Sequence, residues 1–171
     1  MNHLGENLKP IVARLLRLPG MVWLMKLGIL FVVPRHRLGV QAVVLNENNE
    51  VLLLEHVFHP YAPWGLPGGW LNRHEDPRRA VIRELFEETG LQGELGPPLY
   101  VERVSVPHQL TLAFLVRAKR QQLSLSGEIL SARWFGIDNL PNGMYGFNYE
   151  AIMAAQRLLT GNPAFEPVNL R

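Results

Sequence analysis

Glu84, Glu87 and Glu88 stand close together in the stretch LPGGWLNRHEDPRRAVIRELFEETGL, residues 66–91, with Glu75 upstream and Arg78, Arg79 and Arg83 interleaved. Carboxylate oxygens are hard donors. Three of them together, in a chain with no cysteine and no paired-histidine helix motif, suit Mg²⁺ or Mn²⁺ better than Zn²⁺. Crowded alone they oppose folding: like charges at i,i+4 cost roughly 0.2–0.5 kcal/mol per pair, and neighbouring carboxylates raise one another's pKa. A divalent cation offsets that cost. A solvated acidic face paired with the arginines offsets it too, and a bare E-x-x-E-E leaves both readings open.

Local signals place these residues on a helix. Asp76 is a good N-cap, Pro77 fits the first helical position, where no amide donor is needed, and Gly90 suits the left-handed position after the last turn. The helix is predicted over Pro77–Thr89. At about 100° per residue, Glu84, Glu87 and Glu88 share one face, while Val81, Ile82, Leu85 and Phe86 form a separate apolar arc.

The full spacing is more specific than the glutamates. Gly69, five residues, Glu75, seven residues, then Arg83-Glu84-Leu85-Phe86-Glu87-Glu88-Thr89-Gly90-Leu91 resembles the Nudix box of the Nudix hydrolases at every specified position. With residue usage near 5–7%, chance agreement is below roughly 1 in 10⁸ per window. The resemblance covers about residues 37–157. It implies a mixed β-sheet sandwiched between helices, and a divalent metal, Mg²⁺ or Mn²⁺, held by Glu84, Glu87, Glu88 and the carbonyl of Gly68. It gives Arg83 the task of orienting the glutamates, and Gly69, Glu75 and Gly90 the task of supporting the loop. Glu128, six residues before Trp134, occupies a position comparable to the loop glutamate some members recruit, and is a candidate base beside Glu87. The implied reaction is hydrolysis of a pyrophosphate bond in a nucleoside diphosphate linked to another moiety. ADP-ribose or a sugar nucleotide is favoured. Dinucleoside polyphosphates, nucleoside triphosphates and a non-catalytic nucleotide-binding role remain alternatives, the last weakened because no box glutamate is missing.

Phe58, Tyr61 and Trp70 lie near the box and are candidates for stacking on a base, a contact worth roughly 1–3 kcal/mol in nucleic-acid proteins. Trp64 divides evenly between that role and the core, and Trp134 and Phe135 read as core. His56, His59 and His108 read as loop or surface residues.

The rest of the chain supplies the frame. With 171 residues and 47% hydrophobic composition, it suits one compact domain with its own core. Val40–Leu45 and Val51–Glu55 read as a hairpin around Asn46–Asn49. Val101–Val106 and Leu110–Arg117 read as a second pair joined near Pro107-His108, and Ala132–Phe135 as a further strand. A closing helix is predicted over Asn148–Leu159, capped by Asn148 and stopped at Gly161. Strands around a central helix, with another helix at the end, make a mixed α/β (α+β) domain over residues 37–160, with a tail at 161–171.

Residues 1–36 form a helical extension. Leu8, Ile11, Val12, Leu15 and Leu16 recur at helical spacing up to Pro19-Gly20, and the apolar run 21–33 is too short for a bilayer span. Residues 1–37 hold six Lys/Arg against one Glu, in a chain whose net charge is +2. The segment either packs on its own domain or contacts a membrane surface or partner. The expected setting is cytoplasmic, either free or at a membrane surface. The expected partner is a small nucleotide rather than nucleic acid, and oligomerisation stays open.

Overall fold

The computed structural model describes residues 10, 14, 17–18, 20–32, 36–104 and 109–161. The chain divides into two compact units, Met1–Arg35 and His36–Arg171. In the first, α1 (Met21–Val32) is a 12-residue helix entered through Gly20 at φ +88°. The amphipathic helix expected from Leu8 lies mostly outside the described residues.

The second unit runs β1 (Arg37–Leu45), β2 (Val51–His56), β3 (Trp64–Gly65), β4 (Gly68–Trp70), α2 (Pro77–Thr89), β5 (Glu94–Val104), β6 (Gln109–Arg117), β7 (Ile129–Phe135), a 3₁₀ turn (Ile137–Asn139) and α3 (Gly146–Leu159). Side chains alternate across a strand, and this alternation builds the core. Val40, Ala42 and Val44 of β1, Leu52 and Leu54 of β2, and Phe114 and Val116 of β6 are buried with Ala80, Val81 and Leu85 of α2. The intervening residues, Val43, Leu45, Val51, Leu53, Ala113 and Leu115, are buried with Ala151, Ile152 and Ala155 of α3. A full sheet layer therefore separates the two helices. This is the expected sandwich, and each buried Val, Leu or Ile contributes about 1.5–3 kcal/mol.

The sheet has seven strands, ordered β3-β2-β1-β6-β5, with β4 on β1 and β7 on β2. Asn46 builds the β1–β2 turn: its Oδ1 accepts the amides of Asn48 and Glu50 at 2.9 and 3.0 Å, and Asn49 sits at φ +58°. The expected hairpin is held at Leu45↔Val51. Most of the pairing of β1 is instead parallel, with β6, from Arg37↔Gln109 to Leu45↔Arg117. Farther along, β1 takes β4 as an antiparallel neighbour (Gly39↔Trp70, Val40↔Gly69, Gln41↔Gly68), and β2 takes β3 and β7.

Several boundaries differ from expectation. β5 starts at Glu94 rather than Val101, and register shifts between Leu95, Pro98 and Tyr100 absorb the prolines. The expected end of that strand and the Pro107-His108 connection lie outside the described residues, as does His108. β7 begins at Ile129, three residues early. Asn148 is not a cap. Tyr145 holds the N-cap position of α3, and Asn148 is buried with its Oδ1 unpaired. Gly161, at φ +69°, follows the helix as expected, and the tail beyond it lies outside the described residues.

Candidate active site

α2 is built as its sequence reads. The Asp76 carboxylate accepts the Arg78 amide at 2.8 Å, Pro77 opens the helix, and Gly90 closes it at φ +71° with its amide on the Phe86 carbonyl. Thr89, buried, donates its hydroxyl to the Leu85 carbonyl and accepts the Leu91 amide. With Ala80, Val81, Leu85 and Thr89 buried against the sheet, Glu84, Glu87 and Glu88 are carried to the shoulder of the helix, beside β4.

Arg83 organises that shoulder. Its Nε and Nη2 donate to both oxygens of Glu75, each at 2.8 Å. Nη1 reaches Glu84 Oε1 at 2.8 Å and Glu87 Oε2 at 3.0 Å, and Nη2 also reaches the Trp70 carbonyl at 3.1 Å. A planar five-donor guanidinium can span this set; an ammonium cannot. The guanidinium, together with the Asn72 amide, holds the Glu75 carboxyl down to about 2, so it stays charged at any ordinary pH. Glu84 moves the other way, raised chiefly by burial.

Glu88 is the outlier. Its Oε2 accepts the Gly68 amide at 2.8 Å, yet burial first, and then the charges of Glu84, Glu128 and Glu87, push it up to about 8. Gly68 is required by space, and Gly69 lies close against the Glu84 carboxylate. A Cβ on Gly69 would lie 2.6 Å from the Glu84 carboxylate, and one on Gly68 would collide with the Val40 carbonyl.

The loop before β7 brings in Glu128. Ser124 and Ser126 donate their amides to the carbonyls of Thr89 and Glu88 at 2.9 and 3.1 Å, and the Glu128 carbonyl accepts the Val57 amide at 3.0 Å. Glu75, Arg83, Glu84, Glu87, Glu88, Gly68, Gly69 and Glu128 are thus gathered in one place. The aromatic candidates divide. Trp70 lines a hollow of about 590 Å³ with Arg37, His74 and Glu75, and the Arg37 guanidinium lies 5.5 Å from its ring centroid. Phe58 and Tyr61 stand in solvent, 72% and 94% exposed. Trp64 packs edge-on against Phe135, centroids 5.2 Å apart, on the α3 side, and Trp134 packs on the α2 side.

His56 is a strand residue, the last of β2, and not a loop residue. Burial, and next the charge of His59, lowers it to about 4. Sequence reasoning passed over Gln41, whose buried Oε1 has no partner and which pairs with Gly68. A lone amide inside the apolar run GVQAVVL is the signal that marks it.

Among the described residues, no three acidic or histidine side chains are set to hold a metal ion together; Arg83 and the Gly68 amide hold them instead. Their hydrogen bonds use Oε1 of Glu84, Oε2 of Glu87 and Oε2 of Glu88. The second oxygen of each carboxylate is left over. The donor set is all oxygen, with three carboxylates on one shoulder and an oxygen of each unengaged, so the residues present fit a hard divalent cation.

The NUDIX domain profile matches residues 35–155. The chain belongs to the Nudix family. It is 30% identical over 125 residues to Nudix hydrolase 2 of Arabidopsis thaliana, covering 68% of this chain and 45% of that one. It is 28% identical over 115 residues to the ADP-ribose pyrophosphatase of Methanocaldococcus jannaschii, covering 64% of this chain and 67% of the relative. The chain therefore spans about half to two thirds of the length of these relatives. The crystal structure of a Nudix hydrolase from Nitrosomonas europaea superposes with a TM-score of 0.69 at 24% identity, covering 77% of each chain, which establishes the Nudix fold. In this Nudix domain α2 is the helix of the box and β4 the strand leading into it.

Proposed function

We propose that this Nudix domain is a divalent-cation-dependent pyrophosphohydrolase acting on a nucleoside diphosphate linked to another moiety, with ADP-ribose and sugar nucleotides favoured. The observation that carries the reading is the carboxylate shoulder of α2: Glu84 and Glu87 on Arg83, and Glu88 on the Gly68 amide. The likeness to an ADP-ribose pyrophosphatase supports the substrate class.

In this reading Glu84, Glu87, Glu88 and the Gly68 carbonyl hold Mg²⁺ or Mn²⁺. A cation bound there supplies positive charge to the phosphate oxygens and acidifies water. Arg83, anchored by Glu75, keeps the glutamates on one side of the helix. Glu128 takes the proton from the water that attacks phosphorus; a new P–O bond forms, the bridging P–O bond breaks, and the leaving phosphate departs with the bridging oxygen. A carboxylate not committed to a cation is the better base, because coordination lowers a ligand's pKa. Trp70, in the hollow beside the box, offers its ring to the nucleoside.

Incubation of the protein with ADP-ribose, a sugar nucleotide, a dinucleoside polyphosphate and a nucleoside triphosphate, with products separated by chromatography, tests the assignment. ADP-ribose is expected to yield AMP and ribose 5-phosphate, with turnover abolished by EDTA and restored by excess Mg²⁺ or Mn²⁺. Full turnover in chelator would overturn the metal assignment. No turnover of any of the four compounds would favour a nucleotide-binding module.

A further inference from the structure

We propose that α1 docks this protein on anionic phospholipid surfaces, seated in the lipid interface. α1 is apolar all the way round. At about 100° per residue, Val22, Trp23, Leu24, Ile29, Phe31 and Val32 leave no arc wider than about 100°, and all six are exposed, Phe31 at 87%. Its one charge is Lys26. A helix that packs on a globular core carries an apolar stripe on one side and polar residues on the other; a helix apolar on every side belongs in a protein interior or in lipid.

Length limits the depth. Twelve residues rise about 18 Å against a hydrocarbon core of about 30 Å, and among the described residues no helix is long and apolar enough to cross a membrane. α1 is therefore suited to one leaflet, with Trp23 of the type that anchors at the headgroup boundary.

Charge selects the occupant. Residues 1–35 hold five Lys/Arg against one Glu, a balance of +4 in a chain of net +2, so the remaining residues are net negative. A second copy of the segment would set like charge against like. An anionic headgroup layer complements it, and a short apolar insertion together with a positive charge balance supplies the two signals that stable peripheral binding requires. The pyrophosphatase chemistry resides wholly in the second unit, so the two readings stand or fall separately.

The test is sedimentation of the full chain with vesicles of phosphatidylcholine alone and of phosphatidylcholine containing about one part in three phosphatidylserine. Binding to the anionic vesicles is expected to exceed binding to the neutral ones by about tenfold at low salt and to weaken as salt is raised. Leu24→Glu with Phe31→Glu, and separately Arg14→Glu with Arg17→Glu, are each expected to reduce the bound fraction by about tenfold, with thermal melting of the second unit and turnover of soluble substrate unchanged. Absence of binding to anionic vesicles, or equal binding by both variants, overturns the proposal. So does a concentration-dependent dimer in sedimentation velocity that Leu24→Glu with Phe31→Glu abolishes while vesicles bind nothing, which would make a second copy the occupant.

Discussion

On one face of the sheet α2 presses Ala80, Val81, Leu85 and Thr89 inward; on the other α3 presses in Asn148, Ala151, Ile152 and Ala155. Both stripes follow helical spacing and both are buried against alternating strand residues. The shoulders differ. Beside the stripe of α2 lie carboxylates within reach of one guanidinium and the Gly68 amide, and the loop before β7 is tied to the end of the helix by the Ser124 and Ser126 amides. The polar group that α3 buries is a neutral amide. Burial alone makes a helix of either kind; chemistry arises where ionisable groups meet backbone donors at the edge of that burial.

Substitutions can break this contrast. On the α2 side, Glu87→Gln or Glu88→Gln preserves shape and deletes a charge, so kcat is expected to fall by about 10²–10⁴-fold with melting temperature retained. Steady-state kinetics at saturating Mg²⁺ checks this, and unchanged kinetics in both variants would return these residues to a solvated acidic face. On the α3 side the opposite pattern is expected. Ile152→Ala empties a fully buried site and should cost about 2–5 kcal/mol in denaturant unfolding, with kcat changed less than about threefold.

Glu128→Gln, on the loop tied to α2, is expected to lower kcat by about 10²-fold with little change in metal affinity. A loss below about threefold would place the base elsewhere. The smallest effect is in stability against pH. Glu88 holds its proton more tightly folded, at about 8, than unfolded near 4.3, so in EDTA the domain should lose stability as pH rises from about 4.5 through 8. His56 is lowered to about 4 from an ordinary value near 6.5, so stability should also fall as pH drops from about 6.5 through 4. Thermal melts across pH should show Glu88→Gln flattening the alkaline slope and His56→Gln the acid one.

The α2 segment could be read directly because every signal in it is local. Asp76, Pro77 and Gly90 mark its ends within one stretch of chain, and the spacing from Gly69 to Leu91 needs no knowledge of neighbours. β3 and β4 could not be read that way. They are two and three residues long, interrupted by Pro67 and rich in glycine, and they exist because β1 and β2 offer free edges to them. The nine-residue parallel register of β1 on β6 joins segments some seventy residues apart, which alternation alone does not pair. Asn148 misled as a cap because capping preference is a local prior, and here packing against the sheet took the residue inward.

By itself the sequence determined the box helix, its ends, its carboxylate face and the family to which the chain belongs, because these depend on residue type and spacing within a turn or a loop. Only the tertiary structure decided that Arg83 bridges Glu75, Glu84 and Glu87, that Gly68 places its amide on Glu88, and that the loop before β7 brings Glu128 beside them. Apart from the reach of Arg83 to Glu84 and Glu87 within α2, those contacts join separate elements. Burial likewise raises Glu88 to about 8, and burial is a property of the packed chain rather than of any stretch of it.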